Sequence, residues 1–321
     1  MFGLTFLSAT SKTTTHRVVP FRIETTNLPS VAGYVAGGYD SAPISGIDKI
    51  AFSADAKTTL SATLTTGRQT PTGFANSGVA GYAAGGDDGA NISGIDKVTF
   101  PADTKTTLSS TLTTARRLPA GFANSGVAGY VAGGFDSARI SGIDKIAFSA
   151  DSKTTLSATL TSARTSAAGF ANSGVAGYVA GGFGPANISG IDKIAFSADT
   201  KTTLSATLTT ARENATAFAN SSTAGYVAGG NDGARISGID KIAFSADTKT
   251  TLSATLTTAR DSATAFANSG TAGYVAGGND SGGRVSGIDK IAFSADTKTT
   301  LSATLTTARS SLAGFANSGT I

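Results

Sequence analysis

From Val31 onward the chain alternates short apolar runs with polar, turn-rich runs, and the alternation is itself repeated. Within residues 121–164, an apolar and polar segment at 122–125 meets a turn at Gly126, and a run of small residues at 127–132 ends on Gly133-Gly134. Two strands joined by a tight connection are predicted. A variable loop at 135–139 precedes residues 140–148, whose Ile143, Ile146 and Phe148 suit a pleated strand buried on both faces. Residues 149–153 are polar and turn-like, and the Asp151 carboxylate is placed to accept backbone N–H bonds across a hairpin. A Thr- and Leu-rich strand at 154–161 completes the unit before Arg164. No segment carries the period of an amphipathic helix.

This unit is present six times. Gly-Tyr-Val-Ala-Gly-Gly, with one Val replaced by Ala, begins at Gly33, Gly81, Gly129, Gly177, Gly225 and Gly273, 48 residues apart each time. Four short strands per unit, with turn residues about every eight to twelve positions, make the pattern of a propeller blade. The expected fold is therefore all-β: a single six-bladed β-propeller over residues 31–321, with four-stranded blades. The double glycine is expected near the axis, where crowded blades favour a residue that lacks Cβ and tolerates positive φ. The two ends are complementary. The chain finishes on Gly314-Phe315-Ala316-Asn317-Ser318-Gly319-Thr320-Ile321, a first strand with no second strand after it, whereas the first unit begins on a second strand. The C-terminal strand should complete blade one and remove the open edges. Residues 1–30 are surplus to the ring. They form an N-terminal arm that adds an outer strand, docks on a neighbouring subunit or stays loose.

Composition removes several classes of function. Across 321 residues, Lys plus Arg number 25 against 21 Asp plus Glu, a balance with no nucleic-acid footprint. With no cysteine and one histidine, disulfides, thiolate chemistry and Cys-based metal sites are excluded, and no cofactor or metal is expected. The mildly apolar start is short and lacks a basic lead, which argues against a secretory signal. No apolar run approaches the roughly 18 residues of a membrane helix, so no membrane insertion is expected.

Candidate chemistry lies where the copies differ. Loops joining strands two to three, and each blade to the next, emerge on one face of a propeller, and here these loops vary. The opposite face repeats Ser-Ala-Asp-Thr-Lys with little change, including Lys57, Lys105, Lys153, Lys201, Lys249 and Lys298. Tyr39, Asp87, Asp88, Arg117, Phe135, Arg139, Phe183, Glu213, Asp232, Arg235, Asp280 and Arg284 are the candidate binding residues of the variable face. Aromatic rings beside carboxylates and guanidiniums are the materials of glycan or protein recognition. The competing reading is that loops drift wherever packing leaves them free. Catalysis needs one asymmetric constellation, whereas most polar residues here come in equivalent copies, so no catalytic residues and no enzyme are expected.

The order of a Gly-Tyr-Val-Ala-Gly-Gly strand, a variable loop, Ile-Asp-Lys-Ile-Ala-Phe, Asp-Thr-Lys-Thr-Thr-Leu and a closing Arg resembles the kelch repeat. The chain departs from that family at Leu60, Leu108, Leu156, Leu204, Leu252 and Leu301, where kelch blades carry Trp. Ser-Ala-Asp-Thr-Lys also resembles a degenerate Asp-box of sialidase-type propellers. Near-identical Ala-, Gly-, Thr- and Ser-rich repeats without cysteine are similar to propeller repeats of bacteriophage virion proteins, notably tail or fibre components. That resemblance implies a structural or recognition module on a virion or extracellular surface, with other virion or surface proteins, or host glycans, as partners. It also implies an anchoring role for residues 1–30, including self-association. The alternatives are a secreted bacterial glycan-binding lectin or adhesin, gaining from several weak sites, and a divergent sialidase-like hydrolase.

Overall fold

Strand, turn and strand recur so regularly along the sequence that each unit folds into the same four-stranded antiparallel sheet. A computed structural model describes residues 31–318 as six such sheets set as the blades of a closed propeller, with no helix among the described residues. Blade two runs outward from the axis as Thr72–Asn76, Ala80–Ala84, Ile95–Thr99 and Thr104–Thr107. The inner strands of neighbouring blades touch all the way round. Blade one takes its second to outer strands, Ala32–Ala36, Ile47–Ala51 and Ala56–Thr59, from the start of the ring and its inner strand, Ala313–Ala316, from the end. Phe315 stands opposite Tyr34 there as Phe74 stands opposite Tyr82 in blade two. The ring closes as its complementary ends predict. Residues 1–30, and the last three of the terminal octapeptide, lie outside the described residues.

Three local expectations are corrected. The outer strand of blade three is Ser152–Thr155, not 154–161. Residues after Thr155 turn toward the next blade, where the Thr161 backbone N–H and hydroxyl donate to Asp192 at 2.9 and 2.6 Å. The third strand is Ile143–Ala147. The double glycine lies beyond the second strand, at the loop face rather than the axis. Gly85 and Gly86 do have positive φ, 67° and 104°, and a Cβ on Gly85 would lie 2.7 Å from the Arg116 carbonyl oxygen.

The core is a set of layers between blades. Between blades two and three, Phe74 and Tyr82 stack at 5.1 Å, and Phe148 of blade three packs on Tyr82 at 5.2 Å. The Phe74 ring lies over Gly129, where a Cβ would come within 2.1 Å of it. The first glycine of each Gly-Tyr-Val-Ala-Gly-Gly is thus the seat for the preceding blade's phenylalanine.

Two polar contacts bridge every seam. Asp151, at φ 48°, does not cap its own hairpin: its carboxylate accepts the Tyr82 hydroxyl at 3.0 Å and the Lys97 ammonium at 2.7 Å, both from the preceding blade. Burial first, then Asp151, raises the Tyr82 hydroxyl above the ordinary phenol range. The same clamp joins Tyr274 and Lys290 to Asp55 across the seam where the chain ends meet. Tyr82→Phe removes one neutral donor from a part-buried carboxylate. It should lower unfolding stability by about 1 kcal/mol, read as a shifted denaturant midpoint at unchanged slope. An unchanged midpoint would refute the clamp's contribution.

The second contact is a buried ion pair from each closing arginine to the third-strand aspartate of the next blade. Arg68 and Asp96 meet at 2.6 Å with side chains 2% and 0% exposed. Asp96 also accepts bonds from the Thr65 backbone N–H and hydroxyl and from the Thr107 hydroxyl. Lys105 donates to the Thr65 hydroxyl at 2.8 Å. The repeated lysines are therefore held by these threonine networks rather than displayed freely.

Candidate functional site

The variable face is built from the same repeat, so its geometry is regular even though its chemistry is not. At the end of each second strand the chain enters a loop whose first residue pairs, through two backbone hydrogen bonds, with the connection arriving from the previous blade. Asp87 pairs with Gln69, Phe135 with Arg117, Phe183 with Thr165, and Asn231 with Glu213 in this way. Tyr39 pairs with Ser310 across the closing seam.

The twelve predicted residues all fall on these loops and connections, but many are engaged with one another. Arg117 packs over the Phe135 ring at 4.8 Å and lies 3.4 Å from Asp87. Arg139 covers Phe183 and Arg284 covers Tyr39, each at 4.6 Å. Arg235 reaches Asp261 at 3.0 Å. One loop position accounts for much of this. Asn91, Arg139, Asn187, Arg235 and Arg284 each extend to the next blade, Asn91 donating to the Asp136 carbonyl and Asn187 to the Asn231 carbonyl. In blade one that position is Pro43.

Asp88, Asp232 and Asp280 occupy loop tips, together with Asp136, and each turns one carboxylate oxygen onto its own loop's N–H groups. Backbone donation from Ser137 and Ala138 holds Asp136 below the usual carboxylate range. Glu213 behaves in the opposite way. Its half-buried carboxyl is raised, first by burial and then by neighbouring Asp261, with Arg139 opposing.

Loop variability did not single out the central feature. Thr70, Leu118, Ser166, Asn214, Ser262 and Ser311, one per connection, all have φ between 53° and 60°. The backbone N–H of each donates to the carbonyl of the one before it, closing a six-membered ring of hydrogen bonds, 2.8 to 3.2 Å long, around the axis. A threonine and a leucine rarely adopt this conformation, and the ring over-determines it. These residues line a well of about 110 Å³ at the centre of the variable face. The one signal in the sequence is a polar residue just after the variable position in five of the six connections, Leu118 being the exception.

On the opposite face a separate depression is lined mainly by serines, among them Ser125, Ser173 and Ser269. Val79, Val127 and Val175 are about half exposed on the neighbouring turns. Among the described residues, no group of three His, Asp or Glu side chains could hold a metal ion, and no helix is long and apolar enough to cross a membrane. No family model matches the chain, and no curated protein matches it.

Proposed function

We propose that this chain is a non-enzymatic recognition propeller, held from one face and reading a partner with the other, as a tail or fibre component of a bacteriophage virion. The observation that carries the reading is the division of labour between repeated and unrepeated residues. Repeated Arg, Asp, Lys, Tyr and Thr side chains bond across the seams, while the unrepeated ones gather in the loops around the axial well. Those loops are cross-braced from blade to blade, so they present a preorganised surface that loses little freedom on binding. Val31, where the described chain begins, lies on the opposite face, and Asn317 donates to the Ala32 carbonyl beside it. An attachment through residues 1–30 leaves the variable face free.

The virion assignment rests on the resemblance of the repeats. The lectin reading is weakened by geometry, because one side of Phe135, Phe183 and Tyr39 is already covered by arginine rather than open to a sugar ring. For the hydrolase reading, Glu213 is the raised carboxyl on the face, and turnover of a glycan that is lost in Glu213→Gln would establish it.

The test is immunogold electron microscopy on virions that encode the chain, with antibodies raised separately against the two faces. Tail or fibre labelling by the variable-face antibody, with the opposite face masked, is the expected result. Virions that carry no label with either antibody would overturn the reading.

A further inference from the structure

We propose that residues 18–24 of this chain dock on the opposite face and cover an apolar arc on blades one to four. The exposed large hydrophobic side chains among the described residues are four valines: Val31 at 39%, Val79 at 51%, and Val127 and Val175 at 53% each. All four hold one repeat position, immediately before a second strand, on consecutive blades. Blades five and six carry exposed Thr223 and Thr271 there. A single exposed valine is ordinary; the same exposed valine on four adjacent blades is an apolar patch, and such patches mark contact surfaces. Beside the arc lies the depression of about 420 Å³ to which every blade contributes a serine.

The occupant is argued from where the described chain begins. Val31 is itself the first valine of the arc, so the preceding residues join the ring on this face. Residues 25–30 make a tether that spans at most about 20 Å, which confines residues 18–24 to the neighbourhood of the arc. Within that segment Val19, Phe21 and Ile23 alternate with Pro20, Arg22 and Glu24. A period of two puts the apolar side chains on one side of an extended chain, about 7 Å apart. That side meets the valines, and backbone groups of the segment meet the serine hydroxyls.

A second copy of the chain is the competing occupant. It reaches the arc only at its bulk concentration, whereas a short tether holds its own segment at an effective concentration of about millimolar, so the segment takes the arc first. The inference is independent of the virion reading, because residues 1–17 remain for attachment.

Disulfide trapping tests the position directly, since the chain has no cysteine of its own. Phe21→Cys is combined in the full chain with Val79→Cys or, separately, with Thr271→Cys. Blades two and six both flank blade one, so an undirected tether forms the two disulfides at equal rates. Docking on the valines predicts an intramolecular disulfide at least about tenfold faster with Val79→Cys, as a segment docked most of the time requires. Equal rates, a faster disulfide with Thr271→Cys, or a disulfide that joins two copies would each overturn the proposal. A second test leaves the segment unaltered. Val79→Thr with Val127→Thr and Val175→Thr installs the side chain that blades five and six already carry. Trypsin should cut after Arg22 at least about fivefold faster in this variant than in the unaltered protein, because proteolysis follows the population of the open form. Equal cutting rates would refute the docking. Should the triple variant fail to fold, the disulfide comparison decides.

Discussion

Deleting residues 314–321 is expected to leave a protein without a cooperative thermal transition, aggregating at concentrations where the full chain stays monodisperse. Three losses coincide. The first is Phe315, fully buried, stacked at 5.4 Å on Tyr34 and seated against Gly81. Truncating such a ring costs about 3–5 kcal/mol, against a total of about 5–15 kcal/mol for an ordinary domain. The second is the pairing of Ala313–Ala316 with Ala32–Ala36, whose removal exposes an apolar strand edge of the kind that templates association. The third is the contact between the closing strand and the inner strands of blades two and six, which interrupts the circle round the axis. Phe315→Ala isolates the first loss. Because Phe74 occupies the same setting one blade on, Phe74→Ala should cost the same within about 0.5 kcal/mol, the error expected for independent equivalent sites. Calorimetry on the deletion settles the matter: an unaltered melting temperature would show that the closing strand does not hold the ring.

Closure was legible because it is written in one dimension. A repeat that ends on a first strand and begins on a second has one economical solution, and each strand and turn is encoded by neighbours within a few residues. What the chain concealed is pairing between blades. Asp151 sits in a polar pentapeptide that reads as an ordinary turn, yet its partners Tyr82 and Lys97 are 69 and 54 residues away. No local pattern says which flank of a blade faces which neighbour. A signal was present: an Asp repeated once per unit inside Ile-Asp-Lys-Ile or Ile-Asp-Lys-Val, in a strand otherwise suited to burial, requires a compensating cation, and the closing Arg is one of three cations that repeat in step with it, beside two lysines.

The variable face was half legible for a related reason. Non-repetition located Arg117, Arg139, Arg235 and Arg284, but not that each lies against an aromatic ring or a carboxylate of an adjacent loop. The axial ring left almost no trace. Thr70 and Leu118 have side chains that disfavour positive φ, so only the closed circle of hydrogen bonds explains their conformation.

The other large effect is expected at the buried pairs. Asp96→Ala leaves the Arg68 guanidinium in a 2%-exposed setting without its carboxylate, and a buried charge stripped of its partner costs about 3–5 kcal/mol. Replacing both partners, as in Arg68→Met with Asp96→Leu, should recover much of that loss, because the intact pair itself suffers a large desolvation penalty. The two partners register that penalty differently. Burial lowers the Arg68 guanidinium, opposed by Asp96 and Asp88, yet a guanidinium keeps its proton throughout the range in which the fold is studied. For Asp96, burial pushes the carboxyl up, but donation from Thr65 and Thr107 together with Arg68 outweighs it and the net shift is down; Asp48 is lowered likewise by Thr306, Arg309 and Thr59. A carboxyl depressed in the folded state contributes stability that is fully present above the unfolded value, about pH 4, and is lost as pH falls through the folded value. Denaturant midpoints should therefore hold from neutral pH down to about 4.5 and decline below it. Asp96→Asn should start lower at neutral pH and decline less steeply in acid. A variant that matches the unaltered protein at pH 7, or shows the steeper acid limb, would overturn the role assigned to this pair.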